Sequence, residues 1–185
     1  MDELVDILDR EGKATGKTCM KSEAHAKGYW HACINVWLYT KQGEVVIQKR
    51  AATKKEFPNT WDVSVAGHIG AGEDVLIAAQ REVGEEVGFH LTSSDLTFIG
   101  NYATDFRHHK DYIDREYHYM YLAELTVPIE KLQIQVEEVA GIQLILISEL
   151  VKKLESKTDS FSFVPYGIDY FKHVFAVINK KIQQC

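Results

Sequence analysis

The chain has 185 residues and a net charge of −6, with 45% hydrophobic and 26% charged residues. That size and balance suit one globular domain with a full core and exclude a disordered segment. The acidic balance also excludes a duplex nucleic-acid binder, which needs clustered positive charge, but leaves room for a small anion beside a few lysines and a bound cation. No apolar run approaches the roughly 20 residues of a membrane helix. The opening Asp2-Glu3 is acidic where a signal peptide is basic. Cys19, Cys33 and Cys185 are widely spaced and odd in number, as expected of free thiols in a reducing cytoplasm.

In chain order, Leu4 to Leu8 predicts a short first strand, turned at Glu11-Gly12. Ala32 to Tyr39 is β-branched and aromatic, and Lys41-Gln42-Gly43 turns it into Val45 to Gln48 as a hairpin. Trp61 to Val65 alternates as a strand and runs into a loop at Ala66-Gly67-His68. From Asp74 to Val87 the residues Val75, Leu76, Ala79, Val83 and Val87 recur at helical spacing, with Gly88 placed as a C-terminal cap. Leu96 to Tyr102, Glu116 to Glu124 and Ile142 to Ile147 predict further strands. Tyr166 to Ile182 predicts a closing helix. No repeat or Pro/Gly-rich linker divides the chain. Residues 1–185 therefore read as a single domain of mixed α/β, or α+β, class, strands covered by two helices.

Chemistry concentrates between Gly67 and Phe89. On a helix, Glu82, Glu85 and Glu86 fan over roughly a third of one face, where like charges repel by a few tenths of a kcal/mol per pair. Glutamate-rich faces are usually only solvated. Three convergent carboxylates beside an apolar stripe otherwise call for a hard divalent ion such as Mg²⁺, which shares oxygen ligands with substrate phosphates. Gly84 adds a small cost to the helix interior that a purely surface role would not repay. Glu73, eight residues before Arg81, can pair with it and tie the preceding loop to the helix.

The whole segment resembles the Nudix box, Gly-x5-Glu-x7-Arg-Glu-U-x-Glu-Glu-x-Gly-U, where U is a bulky aliphatic residue. Gly67, Glu73, Arg81, Glu82, Glu85, Glu86 and Gly88 fill its fixed positions, Val83 fits the first U, and Phe89 departs at the second. At average residue usage a chance match is on the order of one in a million. The resemblance implies the Nudix fold, a mixed β-sheet sandwiched between α-helices. It implies Mg²⁺, for which Mn²⁺ can substitute, held by Glu82, Glu85, Glu86 and the Gly67 carbonyl. Glu85 and Glu86 are then the catalytic candidates, with Glu85 either a ligand or the base that activates water. Glu73 and Arg81 are structural. The implied reaction is hydrolysis of a diphosphate linkage in a small phosphorylated substrate, such as a nucleoside diphosphate derivative.

Residues 3 to 125 further resemble the branch containing isopentenyl-diphosphate isomerase. The resemblance rests on Asp6 to Arg10, His25, His31-Ala32, Gln48-Lys49-Arg50, Lys54 to Trp61 and Gly67-His68. In that isomerase a catalytic cysteine precedes the Gly-His pair; here Ala66 stands there, and Glu82 and Glu85 are acidic where the isomerase box is degraded. Both departures favour hydrolysis over the alternatives, an isomerase-like enzyme or a non-catalytic Nudix binding module. By this resemblance Arg50 and Lys54 are phosphate-binding candidates. His25, His31, His68 and Glu116 echo the isomerase's metal ligands, although the His25–His31 spacing is one residue short. The plainer expectation is no second metal, with His68 lining the pocket and Glu116 near the substrate as an extra ligand or base. His108-His109 reads as a solvated loop, His118 as structural, Glu138 as a weak late acidic candidate and Trp61 as core. Nudix proteins often dimerise, so a homodimer is open; duplex nucleic acid and membrane are not expected partners.

Overall fold

The computed structural model describes residues 2–156 and 161–184. Its elements in chain order are β1 (Leu4–Leu8), β2 (Ala14–Met20), α1 (Lys21–Lys27), β3 (His31–Tyr39), β4 (Glu44–Arg50), β5 (Trp61–Asp62), β6 (Val65–His68) and α2 (Val75–Val87). They continue with β7 (Thr97–His109), β8 (Tyr112–Glu124), β9 (Val139–Leu146), α3 (Ile147–Ser156) and α4 (Ile168–Gln183). Strand β3 is buried along almost its whole length, as befits a central strand covered on both faces. It runs parallel to β8, from His31↔Glu116 to Tyr39↔Glu124, and antiparallel to β6, from Cys33↔His68 to Val36↔Val65. Strand β7 hairpins onto β8, while β4 pairs with β5 and β9; β1 and β2 form a separate two-stranded sheet.

Strand alternation sorts the main sheet into two faces. Ile34, Val36, Leu38, Val46, Val65 and Tyr121 pack against Ala78, Ala79, Val83 and Val87 of α2. Trp37, Val45, Ile47, Met120 and Leu122 pack against Tyr170, Phe171, Val174 and Phe175 of α4. Each large aliphatic or aromatic side chain so buried contributes about 1.5–3 kcal/mol of transfer free energy. Helix α2 starts where the Asp74 side chain accepts from the Leu76 and Ile77 N–H groups at 2.9 and 3.2 Å, a cap of about 1 kcal/mol. It ends at Gly88, which adopts φ 65° and would press an added Cβ against the Gln133 backbone. Among the described residues no helix is long and apolar enough to cross a membrane.

The structure departs from the sequence reading in several places. The predicted β3–β4 hairpin is splayed, with only Tyr39↔Val45 paired in register. Between the parting strands sits Ser64, whose Oγ accepts from Leu38 N at 2.8 Å and donates to Val46 O at 2.5 Å. The predicted strand Trp61 to Val65 is therefore divided into β5 on β4 and β6 on β3. Ala66-Gly67-His68, expected as loop, belongs to β6. His108-His109 ends β7 instead of lying in a loop. Among the described residues there are four α-helices instead of two.

Candidate active site

The Nudix-like segment folds as β6, a turn and α2. Glu82 and Glu86 face the sheet and are buried, whereas Glu85 sits at the exposed rim; all three line one cavity of about 930 Å³. Arg81 organises the segment. Its Nε and Nη2 donate to Glu73 at 2.9 Å each, its Nη1 donates to Glu82 at 2.7 Å and Glu85 at 3.2 Å, and Nη2 also donates to His68 O. Glu73 in turn accepts from the Gly70 N–H at 2.8 Å, closing the loop onto the helix. The Arg81 hydrogen bonds hold the Glu73 carboxyl below the usual carboxylate range.

The donor set fits a divalent cation. Burial pushes Glu86 up to about 8, with Glu82 nearby adding to the effect. Burial likewise raises Glu82, against the pull of Arg81. Two desolvated carboxylates this close favour a cation to offset their repulsion. Gly67 has no side chain because a Cβ there would overlap the Glu82 carboxylate. That close approach sets the Gly67 backbone against a carboxylate, the combination of oxygen donors a hard cation takes.

Basic residues line the same cavity: Lys21, Arg50, Lys54 and Lys55. Arg50 Nη1 is bonded to the buried Asp62 at 2.8 Å and its Nε donates to Glu56 O at 3.1 Å. Burial opposes its charge, but Asp62 outweighs that and raises the guanidinium pKa. Lys54 is ion-paired with Glu138, and Lys21 with Glu3 at 3.2 Å. Trp61, read as core, packs half-buried on Phe161 at 6.2 Å between ring centroids.

On the opposite face of β6, His25, His31, His68 and Glu116 converge, each offering one donor atom within 4.8 Å of the others. His68 Nε2 lies 3.1 Å and His31 Nε2 3.6 Å from Glu116 Oε1. Both ring nitrogens of His25 and the Nε2 atoms of His31 and His68 are buried without an aligned hydrogen bond. His31 Nδ1 lies 3.1 Å from Tyr29 O, a contact that fixes the orientation of the ring. Burial, with His31 adding to it, pushes His25 down to about 3, and burial also lowers His68 and His118. Glu116 is held well below its usual range, because His31 and His68 outweigh its burial. Imidazole nitrogens around a carboxylate suit a borderline divalent ion such as Zn²⁺ or Mn²⁺. His118, read as structural, bonds Thr104 Oγ1 at 2.9 Å and also lines the cavity.

Sequence reasoning missed three cavity neighbours. Lys21 follows an exposed strand with no alternating pattern. Asp114, which burial and then Glu116 push up to about 9, lies just before the predicted strand that begins at Glu116. Gln48 was noted as the end of the strand Val45 to Gln48 and as part of Gln48-Lys49-Arg50, yet its amide reaches Glu86.

Known proteins similar to this chain fall in one family. The NUDIX domain model matches residues 30–166. An uncharacterised Nudix hydrolase of Clostridium acetobutylicum is 37% identical over 161 residues, covering 85% of this chain and 77% of that protein. An isopentenyl-diphosphate Delta-isomerase of Serratia proteamaculans is 30% identical over 122 residues, 66% of each chain. In fold, a crystal structure from Deinococcus radiodurans matches with a TM-score of 0.63 at 18% identity, covering 84% of this chain and 90% of that one. The chain belongs to the Nudix family, with Nudix hydrolases among its relatives, in the branch that also holds the isopentenyl-diphosphate isomerases.

Proposed function

We propose that this protein is a Mg²⁺-dependent hydrolase that cleaves the diphosphate linkage of a small phosphorylated substrate such as a nucleoside diphosphate derivative. The observation carrying this reading is the placement of Glu82, Glu85 and Glu86 on the wall of the cavity that Lys21, Arg50 and Lys54 also line. Glu82, Glu86 and the Gly67 carbonyl would hold the cation, with Mn²⁺ able to substitute. When bound, the cation neutralises the diphosphate and makes the attacking water more acidic. Glu85, exposed at the rim, would take a proton from that water. Lys54 and Lys21 exchange Glu138 and Glu3 for substrate phosphate oxygens, because both ion pairs are partly exposed and so lose little on opening. Arg50, held by Asp62, keeps a fixed positive charge on the wall. His68 and Glu116 line the cavity from the other face of β6.

The test is phosphate or nucleoside-phosphate release from a panel of diphosphate compounds, with Mg²⁺ and again with chelator. Chelator-sensitive release from one compound class supports the reading and names that class; silence across the panel rejects hydrolysis of those compounds and favours a binding module. The histidine cluster favours a second reading, an isomerase-like enzyme with a metal on His25, His31, His68 and Glu116. Ala66 opposes it. Turnover of isopentenyl diphosphate by the wild type would decide for it.

A further inference from the structure

Gln48 interrupts the apolar face of β4. Alternation places it on the side of Val46, against α2, where neighbouring positions are aliphatic. It is 2% exposed, and an amide this deep costs free energy unless its donors and acceptor find partners. Its Nε2 donates to Glu86 Oε2 at 3.0 Å, and the Ala66 N–H donates to the same oxygen at 3.3 Å. The other oxygen of Glu86 takes no hydrogen bond from the described residues. Gln48 Oε1 is also buried, with no partner among the described residues. Turning the amide round would set its oxygen against a carboxylate oxygen, so the carboxylate fixes its orientation. The Gln48 acceptor goes unused, which a side chain kept for packing alone would not require.

We infer that Gln48 is the positioning residue for Glu86. Resting on the reading of Glu86 as a cation ligand, this adds a residue outside the box that makes the box glutamate competent. With Ala66 N–H it pins Oε2, fixes the side-chain rotamer and leaves Oε1 directed to a divalent cation without further reorganisation. Loss of such an outer hydrogen bond lowers metal affinity about 10–100-fold in comparable sites. Methionine has a similar length and volume and packs in an apolar environment, but it cannot donate.

The experiment is a Mn²⁺ titration of metal-stripped wild type, Gln48→Met and Glu86→Gln, read by the electron paramagnetic resonance of the free ion, with a urea denaturation of each. The component that Glu86→Gln removes is the box site, which separates it from ion held by the histidines. Gln48→Met is expected to weaken that component about tenfold or more, with an unchanged or higher urea midpoint. A lower midpoint with the Mn²⁺ component intact would mean that Gln48 only packs, and the inference falls. If the methionine variant does not fold, Gln48→Asn, which keeps the amide but shortens its reach, must show the same weakening. Identical Mn²⁺ curves for wild type and Glu86→Gln would instead remove Glu86 as a ligand, which sinks the reading of the site itself.

Discussion

Arg50 Nη1 lies 2.8 Å from Asp62 Oδ2, and the other oxygen of Asp62 accepts the Tyr166 hydroxyl at 2.9 Å. Asp62 is fully buried, so the arginine facing the cavity is also the counter-ion of a carboxylate that water cannot reach. Arg50→Ala would strand that charge and is expected to cost about 3–5 kcal/mol in urea denaturation. Lys54 pairs with a partly exposed Glu138, and Lys54→Ala should cost under about 1 kcal/mol while raising KM for the diphosphate. Equal stability losses in the two variants would contradict this division of labour.

Glu86→Gln keeps the size of the side chain and removes its charge. It should lower hydrolysis at least about a hundredfold, the scale on which charge-stabilising groups act in such sites. Far-ultraviolet circular dichroism should not change. Activity surviving in a folded variant would remove Glu86 from the metal site.

Gly67→Ala introduces a methyl where the Glu82 carboxylate already sits. The Glu82 carboxylate must swing out of its position, or else β6 and α2 must part at about 1–3 kcal/mol. Activity should fall far more than the melting temperature does. An alanine variant with normal kcat would show that Glu82 has room to relax.

Arg81 holds Glu73 below its usual carboxylate pKa. A depressed folded-state pKa contributes stability that is present above the unfolded value near 4.5 and disappears as pH falls through the lower folded value. Glu73→Gln should therefore be less stable than wild type at neutral pH and converge with it in acid. The gap should stay under about 1 kcal/mol, because the pair is partly solvated. A gap that widened in acid would reverse the assignment.

His25, His31, His68 and Glu116 should retain a transition-metal ion through purification, detected by elemental analysis, and His31→Ala should lose it. His31 is the sharpest choice because Tyr29 O already orients its ring. Metal-free wild type after growth with zinc and manganese would return these histidines to a packing role.

The box was legible because its chemistry lies in consecutive turns of one helix, where spacing alone puts Glu82, Glu85 and Glu86 on one side. Its folding into β6 and α2 adds burial that spacing cannot convey: Glu85 faces water and Glu86 does not. The histidine cluster was quoted residue by residue, yet its convergence was not legible. It depends on the parallel pairing of β3 with β8, which sets His31 beside Glu116 across more than 80 residues of chain. Helix α3 was missed for a local reason: Ile147, Leu150, Val151 and Leu154 follow β9 without a break, so the change from period 2 to period 3.6 has no turn residue to announce it. The splayed β3–β4 pair was missed because one hydroxyl, Ser64 Oγ, takes the place of a ladder.

Strand β6 is four residues long, and its side chains divide the site between them. Val65 and Gly67 turn toward α2, while Ala66 turns toward the aromatic core under α4 and His68 toward the other histidines. A slip of one residue against β3 would exchange the two sets, driving an imidazole into the space that only glycine leaves for Glu82 and withdrawing it from Glu116. The short ladder from Cys33↔His68 to Val36↔Val65 therefore acts as a partition, keeping the box glutamates on one side of a single strand and the histidine cluster on the other. Substitutions that loosen it, even at Val36 or Val65 far from any substrate, should blur both at once.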